Sequence, residues 1–262
     1  MLQVPKHVSS TSGFTSLRAR RKAVLRVRLP CSARDARLEL KIRTASTSSA
    51  ELRSIGALRG TCFSSCPAGR SALAAQLHRR MMADNEWDSI EDKVHGKDVA
   101  FKGLTVVPIM ATLKLEEGMP ASLADALATE IGLQYQIPES SGYTAWCVGS
   151  LDLNIGARLP SEEVTGCLPG NELEAQRSRA YLSNVCVTPC MRKQGIAQDL
   201  IQHAKGEARG RGVAFLYVHV VPSNEAARNL YLASGFSVEN QESVAFARSL
   251  NRLPREILLH EL

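Results

Sequence analysis

No apolar run in this chain of 262 residues approaches the roughly 18 residues needed to cross a bilayer, so no transmembrane helix is expected. Acids are scarce at the start. Residues 1–50 hold eleven Lys and Arg against two carboxylates, a net of +9 in a chain whose formal total is +6. The rest, with 21 basic and 24 acidic groups, is mildly acidic at −3. A body without a basic surplus, and without basic residues interleaved with aromatics, is not a nucleic-acid surface. An apolar h-region is missing too, which argues against secretion. The seven cysteines, Cys31, Cys62, Cys66, Cys147, Cys167, Cys186 and Cys190, are odd in number and do not read as a secreted disulfide framework. Cys62–Cys66 and Cys186–Cys190 share a C-x3-C spacing, but no pair of histidines completes a zinc site. Reduced thiols and no metal are expected. Internal repeats are absent.

What the leader does contain is Arg, Ser and Thr, as in Ser9-Ser10-Thr11-Ser12 and Thr44-Ala45-Ser46-Thr47-Ser48-Ser49. That composition fits an organelle transit peptide, and the lack of any Arg before Arg18 leans towards a plastid over a mitochondrion. A disordered basic arm is the alternative. The expected division is residues 1–48 as a plastid transit peptide, disordered, and residues 49–262 as one folded domain.

Along that domain, Glu51 to Arg59 reads as a short helix followed by a turn containing Gly and Cys. Residues 71–83 have helical spacing, with Leu73, Leu77 and Met81 on the expected core stripe and Trp87 plugging the end of that layer. Leu104 to Leu113 looks like a strand, with Pro108 implying an edge or a bulge, and Glu116 to Gly118 a turn. Residues 121–134 look helical and Tyr143 to Leu153 extended. The stretch from Asn154 to Ser178 is a long polar loop with Glu162, Glu163, Glu172 and Glu174. It is either an entrance that attracts cationic acceptors or a solvated acidic loop. The last third is a strand at Ala180–Val187, a helix from Gly195 to about Gly206, a strand at Ala214–Val221, a helix from Asn224 capped by Ser223, and an edge strand near Arg255–His260. Such alternation argues for an α/β layer.

The densest chemistry lies at Val185-Cys186-Val187 followed by Arg192-Lys193-Gln194-Gly195-Ile196-Ala197-Gln198. A strand ends, the chain turns, and Arg-x-x-Gly-x-Ala opens a helix. Small residues at 195 and 197 admit a ligand close to the backbone. The first helical N–H groups lack partners and make an anion site, to which Arg192 and Lys193 add charge. By itself this motif is weak, since the same residues serve simply to turn a strand into a helix.

With its context, the run from Arg179 to Phe236 resembles the core of the Gcn5-related N-acetyltransferase (GNAT) superfamily. The resemblance is carried by the Val-x-Val strand, the Arg-x-x-Gly-x-Ala loop, the strand Leu216-Tyr217-Val218-His219-Val220, and Asn224-Glu225-Ala226-Ala227-x-x-x-Tyr231-x-x-x-Gly235-Phe236. More narrowly, Tyr143 onward with Leu151-Asp152-Leu153-Asn154, and the transit-like leader, are similar to plant plastid acetyltransferases of this superfamily, several of which act on both protein N-termini and lysines. The implied fold is α/β (α+β): a central mixed, mostly antiparallel twisted sheet, splayed between its fourth and fifth strands and flanked by helices. Acetyl-CoA is the implied cosubstrate, with no metal. Its pantetheine arm would pair with the backbone of Val185, Cys186 and Val187, whose amides would polarise the thioester carbonyl. The pyrophosphate would rest on the amides of Lys193 through Gln198, and Asn224, with Glu225 and Ala226 beside it, would meet the pantetheine.

Asn224 and Tyr231 lie seven residues apart, on one helix face, and the resemblance puts the Tyr231 phenol beside the sulfur as proton donor to the thiolate. A core tyrosine is the other reading. An acceptor amine with a pKa of about 8 to 10.4 arrives protonated, so a base is needed. His219 shares a strand face with Phe215 and Tyr217, and Tyr181 lies on the neighbouring strand. This resembles the Tyr and His pair of some N-terminal acetyltransferases, as does the spacing from Arg179-Ala180-Tyr181 to Arg192. A hydrogen-bonded core histidine is the alternative for His219, and Asp152 and Glu225 are the other basic candidates. Expected acceptors are protein α-amines and lysines. A small-amine acetyltransferase and a non-catalytic acyl-CoA-binding module remain open, with acceptor width expected to be set by segments 104–118 and 154–178. Protein or peptide amines are the expected partners, without nucleic acid; the oligomeric state is open.

Overall fold

The computed structural model describes residues 22–26, 37–64, 71–114, 119–139, 142–156 and 178–262. One sheet organises them, in the order β1 (Lys22–Arg26), β2 (Arg37–Thr44), β3 (Leu104–Lys114), β5 (Thr144–Gly156), β6 (Arg179–Val187), β7 (Phe215–Val220), β9 (Glu256–Glu261), β8 (Ser237–Gln241). A short β4 (Ile137–Pro138) pairs with β5. Every pairing is antiparallel except β6 with β7, which gives the mixed, mostly antiparallel sheet expected.

Strand alternation sends Ile109, Ala111, Val148, Leu151, Leu153, Leu182, Leu216 and Val218 to one face, where successive side chains alternate sides. Three helices are packed there: α3 (Ala121–Glu130), α4 (Ile196–Gly210) and α5 (Glu225–Ala233). On the opposite face, α1 (Ser49–Phe63) covers Met110, Cys147 and Cys186 with Leu52, Ile55 and Leu58. Further along that face, Tyr181, Tyr217 and Ile257 form a separate aromatic cluster. A short α6 (Val244–Ser249) joins β8 to β9. No helix among the described residues is long and apolar enough to cross a membrane.

Several expectations are corrected. The boundary at residue 48 falls too late, because β2 lies inside the segment expected to be disordered and pairs with β3 from Leu40↔Leu113 to Thr44↔Ile109. Leu38 and Leu40 are buried, and a strand with two apolar positions on its core face is held however basic its other face is. Residues 1–21 and 27–36, most of the expected leader, lie outside the described residues. The turn expected after Arg59 is instead the last turn of α1, where a Cβ on Gly60 would come within 2.7 Å of Ala83 N; only glycine allows α1 to cross α2 (Ala72–Val94) so closely. The stripe expected in the core, Leu73, Leu77 and Met81, is exposed at 66%, 58% and 53%; α2 buries Ala83 and Ile90 instead. Trp87 is half-buried under the Arg53 guanidinium, 4.3 Å from its ring centre.

Pro108 is in a central strand, at the point where β2 stops pairing and the Ala45 N–H bonds its carbonyl at 2.8 Å. The strand near 255–260 is flanked by β7 and β8, so the edge belongs to Ser237–Gln241. The expected turn at 116–118 and the four loop glutamates lie outside the described residues.

Candidate active site

The site begins with a pairing that fails. β6 runs beside β7 only from Arg179↔Phe215 to Leu182↔Val218. Past Leu182, β6 keeps its β5 partner on one edge, β7 turns away to stay with β9, and the other edge of β6 opens on a slot. The divergence coincides with a bulge. Cys186 faces Ser150 and Ser183 faces Asp152, so two β6 residues, Asn184 and Val185, are set against the single Leu151.

A bulge of this kind bends and twists its strand, and Asn184 accommodates it at φ 55°, a left-handed conformation that asparagine tolerates. A buried network holds Asn184 there. Its Nδ2 donates to Asp152 Oδ2 at 2.9 Å, while Asp152 Oδ1 accepts from Arg59 Nη2 at 2.6 Å. Arg59 also reaches Ser150 Oγ at 3.4 Å. With both of its oxygens engaged and no exposed surface, Asp152 positions the bulge and is not placed to serve as a base.

At one end of the slot the chain turns through Thr188 and a 3-10 turn, Pro189–Met191. Glu130, at the end of α3, pins this turn: its carboxylate accepts from Thr188 Oγ1 and, at 3.3 Å, from the Cys190 N–H. Arg192 folds back to donate from Nε to Val187 O at 3.1 Å. Lys193 and Gly195 both take positive φ, 60° and 81°. A Cβ placed on Gly195 would meet nothing within 4 Å, so the backbone there faces open space.

The first intrahelical bond of α4 runs from Asp199 N to Gly195 O at 3.0 Å. The amides of Ile196, Ala197 and Gln198 therefore precede it, and the N-cap, Gly195, has no side chain to offer them. A 15-residue helix whose glycine start faces open space fits a diphosphate in charge and shape. Along β6, the Thr188 N–H bonds Val148 on β5; alternation then directs the Val187 N–H to the open edge.

Two sets of titratable groups flank the slot from opposite faces of the sheet. Tyr231, on α5, packs with the α4-side core and sets its ring against Phe236. Burial pushes its phenol well above the ordinary tyrosine range, and the neighbouring Tyr181 and Cys186 push the same way. It is protonated at neutral pH. From the other face, Tyr181 OH and His219 Nδ1 lie 3.1 Å apart, with ring centres 5.4 Å apart. Burial first, and then the Arg255 guanidinium, lower the His219 imidazole to about 4, so it is neutral at pH 7. Its Nε2 is buried without a hydrogen-bond partner.

Behind His219 stands a carboxylate that the sequence did not single out. Burial alone would raise Glu242, but hydrogen bonds from Arg252 and Arg255 hold it down at about 2. Asn224, and not Ser223, is the N-cap of α5: its Oδ1 accepts from Ala227 N at 3.2 Å. Glu225 and Ala226 are exposed in the same first turn. Arg59, Glu130 and Glu242 are the residues that sequence reasoning missed; Arg59 and Glu130 act through partners 93 and 58 positions away, and Glu242 through Arg252 and Arg255 beyond the short helix α6. Among the described residues no group of three or more His, Cys, Asp or Glu is arranged to hold a metal.

Comparison with known proteins places this geometry. Residues 128–236 match the Acetyltransferase (GNAT) family. The chain is 37% identical over 191 residues to the Arabidopsis thaliana protein named GCN5-related N-acetyltransferase 7, chloroplastic; the match covers 72% of this chain and 65% of that one. To GCN5-related N-acetyltransferase 6, chloroplastic, of the same plant it is 37% identical over 97 residues, which is 35% of this chain and 34% of the relative. The chain thus spans less than two thirds of the length of both plant relatives. The Escherichia coli [Ribosomal protein bS18]-alanine N-acetyltransferase is 30% identical over 112 residues, 42% of this chain and 76% of the bacterial one.

Proposed function

The chain belongs to the GNAT acetyltransferase family, and from that premise we propose that it transfers acetyl from acetyl-CoA to amines, protein N-terminal α-amines and lysine ε-amines in the plastid. The observation that carries the reading is the slot: one end is a helix start at a glycine with open space beside it, and its middle is reached by Tyr231 from one face and by Tyr181 and His219 from the other. When bound, acetyl-CoA supplies the acetyl group as a thioester. Lys193 through Gln198 hold the pyrophosphate, with Arg192 and Lys193 adding charge, and Val185 to Val187 offer the pantetheine an open strand edge. The Val187 N–H is positioned to donate to the thioester carbonyl oxygen, where negative charge develops on attack. Asn224, Glu225 and Ala226 border the same end of the cleft.

His219, neutral and 3.1 Å from Tyr181, takes the proton from the incoming amine, directly or through a water. Tyr231 returns a proton to the departing thiolate, and its raised pKa keeps that proton available. Tyr231→Phe is accordingly expected to slow turnover by about a hundredfold or more, the scale of one general acid, while coenzyme A affinity stays nearly constant; steady-state kinetics with calorimetry checks both. Parent turnover in the variant removes the donor role.

A base works only unprotonated, so its limb falls where pH drops through its pKa. With His219 lowered to about 4, that limb lies near pH 4 and not at the usual 6.5. The acceptor amine, ionising at about 8 or above, adds its own limb at higher pH. With the amine arriving protonated, the parent kcat/KM should run level between these values and break downward as pH falls through about 4. In His219→Ala that break disappears and turnover falls by about a hundredfold or more. A variant that keeps the break excludes His219 as base.

The acceptor is tested by incubating the full chain with acetyl-CoA, a peptide library and a panel of small amines, read by mass spectrometry. Acetyl groups on α-amines and on lysines are expected. Acetylation of small amines alone would replace the acceptor class, and no acetylation of any amine would leave an acyl-CoA-binding module. Plastid residence is supported by the leader's composition and by two relatives named chloroplastic; fractionation that recovers the protein outside plastids contradicts it.

A further inference from the structure

We propose that Cys62 and Cys186 are an oxidisable thiol pair whose disulfide ties α1 to the thioester strand and slows acetyl transfer; the second half of this inference rests on the function proposed above. The sequence suggested two separate C-x3-C units, but the fold joins one cysteine from each. Cys62, in the last turn of α1, packs into the same buried cluster as Cys186 of β6, and the two thiols shift each other's ionisation.

Both sulfurs touch the slot strand. Cys62 Sγ donates to Val187 O at 3.5 Å, the carbonyl that Arg192 also holds. Cys186 Sγ lies 3.5 Å from Ser150 Oγ, inside the network that fixes the bulge. The pair is asymmetric. Cys186, and then burial, raise the Cys62 thiol, while Cys62 and the Arg59 guanidinium hold Cys186 below the ordinary cysteine range. Cys186 holds the lower thiol and is buried, so only a small oxidant reaches it, while Cys62 is half-buried.

A peroxide meets those conditions. The Cys186 thiolate attacks the O–O bond, giving two electrons to the oxygen that leaves as hydroxide, and becomes a sulfenic acid. The Cys62 sulfur then attacks the Cys186 sulfur, and the sulfenic oxygen leaves as water with the Cys62 proton. The products are one disulfide and water; a dithiol reductant returns both thiols. Closing the bond removes the S–H donor from Val187 O and fixes the two side chains in disulfide geometry. The strand edge that must present the Val187 N–H to the thioester therefore moves.

The test treats the full chain with hydrogen peroxide, blocks free thiols, and maps the digest by mass spectrometry. A Cys62–Cys186 linkage is expected, with acetyl transfer down about tenfold or more, since displacement of about an ångström in an active site costs up to a hundredfold; dithiothreitol restores it. Cys62→Ser should form no disulfide and leave a sulfenic acid on Cys186 that dimedone captures. Linkage to Cys66, Cys147 or Cys190 instead, or no linkage, overturns the pairing. A Cys62–Cys186 bond with unchanged turnover overturns the switch. The linkage is read without any acetyl transfer, so failure of the proposed reaction leaves the pairing decided; coenzyme A affinity then replaces turnover as the second readout.

Discussion

Gly195→Glu is expected to abolish coenzyme A binding. Gly195 stands at φ 81° with open space where a side chain would project, at the start of α4. A carboxylate there occupies the diphosphate position and brings its own charge to the same amides. Like charges set against each other cost several kcal/mol, so the dissociation constant should rise by about a hundredfold or more. Folding suffers less. A non-glycine residue in the left-handed region costs about 1–2 kcal/mol, and nothing in the fold has to move to admit the side chain. Gly195→Ala separates the two effects, with the same strain, no charge and an affinity within about tenfold of the parent. Calorimetry and thermal unfolding on both variants decide it. Glu and Ala variants that bind alike would mean that the diphosphate lies elsewhere.

Asp152→Ala is expected to give the largest loss of stability. It leaves the Arg59 guanidinium, 1% exposed, without its carboxylate, and removing one partner of a buried pair costs about 3–5 kcal/mol. For a domain of this size that corresponds to a fall of roughly 10 °C in the unfolding midpoint. The substitution also releases Asn184, so the bulge that opens the slot loses its clamp. A double variant, Arg59→Met with Asp152→Leu, distinguishes the roles. Removing both charges should recover most of the stability, yet coenzyme A should still bind more weakly because nothing holds Asn184 at positive φ. Thermal unfolding measures the first effect and calorimetry the second. A double variant with parent affinity would show that the bulge forms without the network.

The contrast between these residues explains what could be read from the chain. The loop that turns β6 into α4 was legible because its parts are contiguous: Arg192, Gly195 and Ala197 lie within one turn, and the small residues announce a close approach to the backbone. The faces of Tyr231 and His219 were read from helix and strand periodicity, whereas the pairing of Tyr181 with His219 came from the family resemblance. The clamp was not legible, since Arg59 and Asp152 are 93 positions apart and no local pattern links an arginine in a helix to an aspartate in a strand. β2 did leave a local signal, Leu38, Leu40 and Ile42 alternating with Glu39, Lys41 and Arg43. It was hidden by the basic composition of the segment around it.

The stripe Leu73, Leu77 and Met81 misled for the opposite reason. Helical spacing fixes which residues share a face but not which face meets the sheet, and α2 turns Ala83 and Ile90 inward instead. The assignment of residues 255–260 to an edge failed because β8 carries little hydrophobic alternation; all five of its residues are exposed, so the true edge strand was silent in the sequence.

The account depends on coenzyme A lying along the open edge of β6 with its diphosphate on the start of α4. Hydrogen–deuterium exchange on the full chain, with and without coenzyme A, measures this directly. Protection is expected in peptides covering Val185–Val187 and Lys193–Gln198, and none is expected in β1, β2 or α2. Exchange that stays unchanged across both stretches at saturating coenzyme A, in folded protein, would contradict it.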